Sequence, residues 1–486
     1  MQDMTKPLNS SPDTELNLDG TRAKTDWKSI YVLSIVTFLG AIQAGAVGPT
    51  VWPYMKLMDP SVPDTYSGYF RSINSLGHVI SAVIAGYCCN RLNQTKTPMM
   101  TGKILIISAS LIYLTIELLS SARRYVFVIF EFLMGFSLGF LMIGRVYVAM
   151  ASTEKDRSRA VSVSTLAMPF GLALGPLFQI FFTLFGYPGH EFLFGTHLNV
   201  YTSPIYLSIF SCLIGITLLL LCFHGKLQPT KKADDAALPA TENRLGVNLD
   251  KIAISICLLT KLMVGFVMIC MMAIGPPYTM TIFGWTSANA VLYGSIIQGL
   301  IGTIGIGWNL IYMFTKLNHR LPERRAILLG FTLFLTFFLV TFPWPFYTSK
   351  IQYESKLNNS TSEPTGCNVN YKWCAETPSV NVWVYSIAQV LCMGFGMPLV
   401  TINLDILYSK ILGPIKQGTM QGIFMVCGEV LNIAGPIAMS NVYTSSGPRY
   451  IWLAEMLVLS SGVILWVVFF RRMVSFSQKI AEPQKL

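Results

Sequence analysis

Twelve long apolar stretches, separated by short polar loops, run through this chain from about Ser29 to Phe470. A helix needs about 20 predominantly apolar residues to cross the hydrocarbon of a bilayer. Stretches such as 203–223 and 451–470 reach that length without a Lys or Arg. Because backbone polar groups in lipid must be satisfied within the helix, this pattern predicts an all-α integral membrane protein.

The composition of the chain fits a membrane solvent. Apolar residues make up 52% of the 486 residues, charged residues make up 12%, and the mean hydropathy is +0.53. Soluble domains carry about 25% charged residues, so these values exclude a soluble globular protein. Hydropathy places the twelve predicted spans near residues 29–53, 66–88, 100–120, 125–150, 160–185, 203–224, 251–275, 288–315, 326–346, 381–408, 419–440 and 450–470.

Positive charge is distributed unevenly between the two sides of the predicted bundle. If both termini are cytosolic, most of the 35 Lys and Arg residues fall in the tails and in the loops after even-numbered spans. This asymmetry satisfies the positive-inside rule and predicts a multi-pass protein with cytosolic termini. The net charge of +11 is then an orientation signal and a contact with anionic membrane lipids, so we expect no nucleic-acid partner.

The loop 347–380, between spans 9 and 10, carries two signals of a lumenal position. Asn358 and Asn359 begin overlapping glycosylation sequons. Cys367 and Cys374 lie away from the predicted spans, where an oxidising compartment could join them. The sequence therefore predicts glycosylation in this loop and a Cys367–Cys374 disulfide, with two free thiols as the alternative.

Glycine motifs recur at corresponding places in the first and second six spans. Gly175-Pro176 in span 5 matches Gly435-Pro436 in span 11, and Gly135-Phe136 in span 4 matches Gly394-Phe395 in span 10. Such repeats indicate two six-helix halves, and because six is even the halves insert in parallel. The predicted units are a cytosolic N-tail (1–28), an N-terminal bundle (29–224), a cytosolic linker (225–250), a C-terminal bundle (251–470) and a cytosolic C-tail (471–486).

Several local motifs on this two-halved plan resemble the major facilitator superfamily. The sequence Gly86-Tyr-Cys-Cys-Asn90-Arg91 after span 2 is similar to the superfamily's Gly-x-x-x-Asp-Arg loop, with Asn90 where the acid is expected. Span 4 supplies Arg145, and span 5 supplies a Gly-Pro pair. The resemblance implies alternating access, a central cavity lined by spans 1, 4, 7 and 10, and a conformational role for Gly86, Asn90 and Arg91.

Four short sequences resemble a lysosomal branch of that superfamily, which is linked to late-infantile neuronal ceroid lipofuscinosis. They are Asp26-Trp27-Lys28-Ser29-Ile30, Trp52-Pro53-Tyr54, Gly175-Pro176-Leu177-Phe178-Gln179 and Tyr201-Thr202-Ser203-Pro204. The resemblance implies residence in lysosomes and late endosomes, solute transport, and an anion (chloride) conductance. The N-tail sequence only approximates an acidic dileucine sorting signal, so the lysosomal location depends on the resemblance alone.

Lys261 and Glu429 are the ionisable pair that the sequence places deepest in the membrane. Each lies near the middle of its span, where an ionised group costs several kcal/mol unless it faces water or a partner. In one interpretation Lys261 binds an anionic solute or chloride and Glu429 exchanges a proton. In the other, the two form a buried ion pair that orients neighbouring helices.

Five further polar side chains are candidates for the cavity. Arg145 could bind the solute or snorkel to the nearer surface, and Glu131 could admit protons or be a solvated residue at the lumenal mouth. Gln43, Gln298 and Asn403 could line the cavity or form interhelical hydrogen bonds.

Other charged side chains are interpreted as surface groups. Glu117 and Asp405 fall close to predicted helix ends, and Arg71 and Glu455 lie where they can snorkel to the lumenal surface. His197 has no partner at metal-ligand spacing and is interpreted as a solvated loop residue.

The sequence therefore predicts a secondary active transporter in the endolysosomal membrane that moves a small anionic solute coupled to protons. A passive chloride or anion channel on the same scaffold, and a non-transporting scaffold or receptor, are the alternatives. Because the sequence contains no nucleophile triad, phosphate loop or metal-ligand cluster, we expect no enzyme activity, cofactor or metal. The sequence gives no indication of the oligomeric state.

Overall fold

The structure, a computed structural model, describes residues 25–59, 66–119, 122–153, 156–192, 195–225, 250–285, 287–315, 321–347, 349–353, 366–367, 371–413 and 417–481. Within these ranges, 12 helices are long and apolar enough to cross a membrane, which confirms the predicted spans. Some helices are longer than predicted. Span 1 accommodates Pro49 and Pro53 within the helix and continues to Met58, and span 10 continues to Leu412.

Several spans are built from more than one helical segment. Span 4 breaks at Met142, span 11 breaks at Val430, and span 10 contains one π-helical turn. The spans are, in order, Trp27–Met58, Tyr66–Leu92, Lys96–Leu114, Arg123–Leu141 with Ile143–Ala151, Arg157–Phe182, Ser203–Cys222, Lys251–Phe283, Ser287–Phe314, Glu323–Thr341, Val382–Ala388 with Gln389–Met393 and Gly394–Leu412, Gly418–Glu429 with Leu431–Ser446, and Pro448–Val468.

A few short elements lie between or after the spans. Two strands, β1 (His190–Glu191) and β2 (His197–Leu198), form an antiparallel hairpin between spans 5 and 6. A short helix, Phe476–Ala481, follows span 12. Single turns of 3-10 helix cover Thr115–Glu117, Thr183–Phe185 and Lys372–Ala375.

Hydrogen bonds between loops show that the spans alternate in direction. The Asp26 N–H donates to the Ala151 carbonyl at 3.1 Å, which places the start of span 1 beside the end of span 4. The Thr95 N–H donates to the Gly225 carbonyl at 2.8 Å, which places the start of span 3 beside the end of span 6. We call the side that holds the start of span 1 and the end of span 12 the terminal face, and the other side the opposite face.

Close backbone contact holds the N-terminal half together. Gly45 of span 1 and Gly175 of span 5 meet directly, and a Cβ on Gly175 would lie 2.5 Å from the Gly45 Cα. Because glycine has no side chain, the two backbones can approach this closely and gain van der Waals contacts. In lipid these contacts, and not the hydrophobic effect, stabilise the association of helices. Toward the opposite face, the rings of Tyr54 and Tyr113 stack with centroids 5.6 Å apart.

Aromatic side chains fill the C-terminal half. The Tyr278 ring of span 7 stacks on Trp452 of span 12 with centroids 4.9 Å apart, and on Tyr385 of span 10 at 5.0 Å. The Trp452 indole N–H donates to the Thr341 hydroxyl of span 9 at 2.9 Å, so its polar group is satisfied in the apolar core. Spans 7, 9, 10 and 12 therefore share one core.

The two halves meet closely near the terminal face, where span 2 lies against span 11. A Cβ on Gly86 would lie 2.6 Å from the Gly418 carbonyl oxygen, and a Cβ on Gly422 would lie 2.6 Å from the Ala82 carbonyl oxygen. Such distances leave no space between the two backbones. The bundle is therefore closed along this line.

The loop between spans 9 and 10 packs against the end of span 11. Cys367 and Cys374 form a disulfide. The neighbouring Trp373 is buried, donates its indole N–H to the Thr444 carbonyl at 3.3 Å, and covers Gly447, whose φ of 72° is in the left-handed region. The predicted glycosylation sites, Asn358 and Asn359, lie outside the described residues.

Candidate functional site

Two cationic side chains, one from each half, meet at one carboxylate of a third span. Arg145 Nη1 of span 4 lies 3.0 Å from Asp405 Oδ2 of span 10, and Lys261 Nζ of span 7 lies 3.7 Å from Asp405 Oδ1. Arg145 belongs to the N-terminal half, whereas Asp405 and Lys261 belong to the C-terminal half. We call Arg145, Asp405 and Lys261 the charge cluster.

Helix geometry places these side chains away from the surface. Because span 10 continues to Leu412, Asp405 lies two turns inside its helix instead of at the end. The interpretation of Asp405 as a surface group is therefore wrong, and its side chain is only 16% exposed. Arg145 lies in the short segment that follows the break in span 4.

The Lys261 side chain is closely packed between a glycine and an aromatic ring of span 11. Its Cε lies 3.0 Å from where a Cβ of Gly428 would be, so the lysine stem packs against the glycine of span 11. Its Nζ lies 4.9 Å from the centre of the Phe424 ring, which itself stacks on Tyr408 with centroids 4.4 Å apart. A cation over an aromatic face gains electrostatic stabilisation in a desolvated site.

Glu429, the predicted partner of Lys261, lies beside the charge cluster without pairing directly. Asp405 is the carboxylate within ion-pair distance of Lys261. Glu429 Oε2 accepts a hydrogen bond from the Asn432 amide at 2.7 Å. It remains near enough to attract Lys261, and also His78 of span 2, electrostatically.

A pocket opens beside the charge cluster, between spans 4, 5, 10 and 11. The pocket is small, about 30 Å³, and it is open to solvent at its mouth. The side chains of Ser164, Thr165 and Gln421 can donate hydrogen bonds, and Arg145 can bind a planar anion through two parallel N–H groups. Asp405 holds Arg145 in this conformation, so an anionic solute would compete with Asp405. The lining residues are Arg145, Val148, Ala149, Val161, Ser164, Thr165, Asp405 and Gln421.

Gln43 and Asn403 are interhelical hydrogen-bonding residues instead of cavity residues. Gln43 is 2% exposed, and its Oε1 accepts from the Ser211 hydroxyl of span 6 at 2.7 Å. Asn403 is fully buried, and its Nδ2 lies 2.8 Å from the Tyr312 hydroxyl of span 8. The second of the two interpretations therefore fits both side chains. Gln298 of span 8 is exposed.

Glu131 is tied to span 2 within the N-terminal half. Its Oε2 accepts from the Asn74 amide at 3.0 Å, and the same amide lies 3.2 Å from the Glu131 carbonyl oxygen. Glu131 is therefore a half-buried, hydrogen-bonded carboxyl at the joint between spans 2 and 4.

The last turns of span 2 bridge the two halves. Gly86, Asn90 and Arg91, expected in a loop after span 2, lie within its helix, which continues to Leu92. Asn90 Oδ1 accepts the backbone N–H of Gly418 at 2.8 Å, and Asn90 Nδ2 donates to the Thr419 hydroxyl at 2.9 Å. Asn90 therefore satisfies one of the free N–H groups at the start of span 11. Gly86 lies against the same turn, and Arg91 is exposed.

Three ionisable side chains are buried where the sequence did not indicate it. His78 and Lys103 are not among the predicted site residues, and Glu455 is predicted at the surface. His78 of span 2 is 7% exposed, and its Nε2 has no hydrogen-bond partner among the described residues. Lys103 of span 3 is 1% exposed, and its Nζ is likewise without a described partner. Glu455 of span 12 is fully buried beside the Cys270 thiol, so the snorkelling interpretation is wrong for it.

Glu117 organises the opposite face of the N-terminal half. Its Oε1 accepts from the Tyr54 hydroxyl at 3.2 Å and from the Asn199 amide at 3.0 Å. Its Oε2 accepts the His197 N–H at 2.7 Å, and the His197 ring nitrogen Nδ1 lies 3.4 Å away. Glu117, discounted for its place near a helix end, therefore has a structural role, because it fixes the hairpin loop onto spans 1 and 3. The His197 side chain is 41% exposed, as expected for a loop residue.

Asp250 fastens the residues after span 12 to the start of span 7. Its carboxylate accepts from Arg472 Nε at 2.8 Å and from Lys479 Nζ at 2.8 Å, and it caps the helix through the Ala253 N–H. Burial alone would raise the pKa of the Asp250 carboxyl, but these hydrogen bonds outweigh it and lower the pKa to about 2.

Sequence comparison places this chain among membrane transporters. The profile of the Major Facilitator Superfamily matches residues 33–353. Over 485 residues the chain is 25% identical to a Xenopus laevis protein called Major facilitator superfamily domain-containing protein 8. The match covers 94% of this chain and 93% of that relative.

Solved structures of known transporters share the fold. A crystal structure of FucP in the outward conformation matches with a TM-score of 0.65 and 15% identity, over 92% of this chain and 98% of that one. The human organic anion transporter MFSD10 matches with a TM-score of 0.63 and 13% identity, over 90% and 99%. The proton:xylose symporter XylE matches with a TM-score of 0.62 and 15% identity, over 93% and 98%.

Proposed function

This chain belongs to the Major Facilitator Superfamily, and we propose that it is a proton-coupled transporter of a small anionic solute in the lysosomal or late-endosomal membrane. Membership makes it a transporter of solutes in a lipid membrane and not an enzyme. The anionic substrate, the protons and the location are the proposed parts.

One observation carries the proposal: Asp405 joins Arg145 of one half to Lys261 of the other half. A buried charged group left without its partner costs several kcal/mol. When an anion displaces Asp405 from Arg145, the contact between the halves changes, and the solute thereby drives the rocking motion. Binding and conformational change are coupled because they use the same side chain.

The charges around the cluster favour an anion over a neutral solute. Arg145 and Lys261 supply two cations, whereas Asp405 supplies one carboxylate. Glu429 lies close enough to Lys261 to interact with it electrostatically. The organic anion transporter MFSD10 gives this choice further support through its shared fold.

A transporter with alternating gates agrees better with the geometry than a passive chloride channel does. The backbones of Gly86 and Gly418 are in direct contact at the terminal face, where a channel would need a continuous wet path. Ion current that follows the chloride gradient and ignores the proton gradient would favour the channel instead.

The orientation is part of the proposal. We place the terminal face in the cytosol and the loop 347–380 in the lumen, with sugar chains on Asn358 or Asn359. Replacing both asparagines with Gln should remove any shift in gel mobility that glycosidase treatment produces. A sugar on Asn93, at the terminal face, would reverse the orientation.

The experiment that tests the transported substrate has two stages. Metabolites that accumulate in organelles lacking the protein identify the anion, and flux of that anion is then measured in proteoliposomes. We expect Lys261→Ala to abolish flux while Lys251→Ala, at the exposed start of the same span, keeps it. Normal flux in correctly folded Lys261→Ala would overturn the proposed site.

A further inference from the structure

His78 is a buried imidazole at the contact between the two halves. It is 7% exposed, and its Nε2 is enclosed without a hydrogen-bond partner among the described residues. Span 2, which carries His78, packs on span 4 through Gly77 and on span 11 through Gly86. A polar nitrogen buried without a partner costs free energy, so its presence calls for a functional explanation.

Charged groups reach His78 from both neighbouring spans. Glu429 of span 11 attracts a positive imidazolium, and Arg145 of span 4 repels it. Glu429 also attracts Lys261 of span 7, and Arg145 is held by Asp405 of span 10. His78 is thus connected electrostatically to the charge cluster, although no member of the cluster is on its own helix.

We propose that His78 binds the transported proton, with Glu429 as its partner across the two halves. This inference rests on the proposed function and names the residue that would couple protons to it. Imidazole is suited to the task because its unperturbed pKa lies between those of the carboxylates and the amines, in the range that separates an acidic organelle from the cytosol.

The proton step is one transfer in each direction. An O–H bond of a hydronium ion at the opposite face breaks as an N–H bond forms at His78 Nε2, and the same proton passes to water at the terminal face when the halves have rocked. In the protonated state, His78 of span 2 and Glu429 of span 11 attract each other and hold these spans together. In the neutral state that attraction is lost, and the terminal face opens more easily.

Displacement of Arg145 from Asp405 completes the coupling. An anion that takes Arg145 into its own binding contacts neutralises the charge that repels imidazolium. Proton and anion therefore favour each other's binding. Such mutual stabilisation is required by linkage for two ligands that share one conformational equilibrium.

A distance measurement tests this without knowledge of the solute. Nitroxide labels at Tyr125→Cys and Trp383→Cys would report the separation of the halves at the opposite face, because both residues are exposed there and lie on different halves. The half-buried cysteines that would compete for label, Cys88, Cys222 and Cys427, are first replaced with Ser.

In the otherwise unmodified protein we expect the population that is open at the opposite face to rise about fivefold between about pH 7.5 and about pH 5. His78→Gln should reduce this rise to less than about twofold. Glu429→Gln should move the midpoint of the transition to lower pH by about one unit, because the attraction for the imidazolium is lost. His190→Gln, which removes an exposed histidine, is the matched control and should change nothing.

A pH response that survives in both His78→Gln and Glu429→Gln would overturn the inference. If His78→Gln does not fold, the shift of the midpoint in Glu429→Gln tests the inference by itself, because Glu429 is the proposed partner of His78 in the other half. Once the anion is known, gradient-driven flux that persists in His78→Gln would refute the role of His78 and leave the proposed function intact. Flux in the wild type that ignores the pH gradient would instead refute the proton coupling in the proposed function.

Discussion

Asn90 of the N-terminal half accepts the Gly418 backbone N–H at 2.8 Å and donates to the Thr419 hydroxyl at 2.9 Å in the C-terminal half. The first turn of a helix has free N–H groups that need acceptors, and Asn is among the best side chains for that purpose. The contact thus explains how an amide can stand where the superfamily has a carboxylate.

Replacing Asn90 should distinguish an acceptor from a donor role. We expect Asn90→Asp to keep the closed terminal face, because a carboxylate accepts the Gly418 N–H and suits a helix N-terminus. Asn90→Ala should cost about 1 kcal/mol and increase hydrogen exchange in residues 417–421. Equal exchange in the Ala and Asp variants would contradict the capping role.

The contact of Gly418 with Gly86 predicts a strong effect of one added methyl group. A Cβ on Gly418 would lie 2.7 Å from the Gly86 carbonyl oxygen, so Gly418→Ala should prevent full closure of the terminal face. Gly302→Ala, where a Cβ would meet no atom within 4 Å, is the control. The measurement is the label distance across the opposite face, which should become insensitive to pH only in Gly418→Ala.

Because Asp405 pairs with both Arg145 and Lys261, we expect a second substitution at Lys261 to compensate in part for the loss of Asp405. Asp405→Asn leaves the buried Lys261 and the partly exposed Arg145 without their counter-charge, and flux should fall at least about tenfold. Adding Lys261→Met to Asp405→Asn should recover part of the closed state, since one unpaired charge is removed. A double-mutant cycle on thermal stability should give a coupling of about 1 kcal/mol or more, and strict additivity would argue against the ion pair.

Asp250 predicts a specific pH dependence. Because the folded protein lowers the pKa of this carboxyl to about 2, its stabilisation is complete above the unfolded value of about 4 and is lost as pH falls toward about 2. Asp250→Asn keeps a capping side chain but should lower stability by about 2 kcal/mol. The difference in melting temperature from wild type should stay constant between about pH 5 and about pH 8, and a difference that vanishes at pH 5 would refute the assignment.

We expect replacement of the buried Lys103 by an apolar side chain to stabilise the protein. Its buried Nζ has no hydrogen-bond partner among the described residues, and its stem fits against Gly215, where a Cβ would lie 3.2 Å from Lys103 Cε. Lys103→Met keeps the shape and removes the desolvated amine, so it should stabilise the protein by about 1 kcal/mol or more. Lys251→Met is the exposed control. Destabilisation by Lys103→Met, measured as a lower melting temperature, would mean that a bound water or anion pairs with the amine.

Hydropathy was sufficient to predict the twelve spans because each span must hide its own backbone from lipid. The depth of a single residue within its span is predicted less reliably, because it depends on where the helix ends. A span 10 that ends near residue 408 puts Asp405 at its edge, whereas the helix observed, which continues to Leu412, places Asp405 in the interior. Lys261 was not affected by such an error because it lies far from either end of span 7.

Which way a side chain faces could not be read from apolar segments. The spans are apolar on every side, so the sequence contains no polar stripe that separates Gln43, which faces span 6, from residues that face the cavity. Glu455 lies two turns inside span 12, and it is buried beside Cys270 instead of reaching toward water. Only the tertiary contacts distinguish these cases.

The ring of Trp373 over Gly447 makes the described part of the loop between spans 9 and 10 a rigid extension of the C-terminal half. An antibody fragment that recognises this disulfide-bonded surface would travel with that half throughout the cycle. It would serve as a fiducial for electron cryomicroscopy, reporting the tilt of one half while leaving the moving boundary untouched.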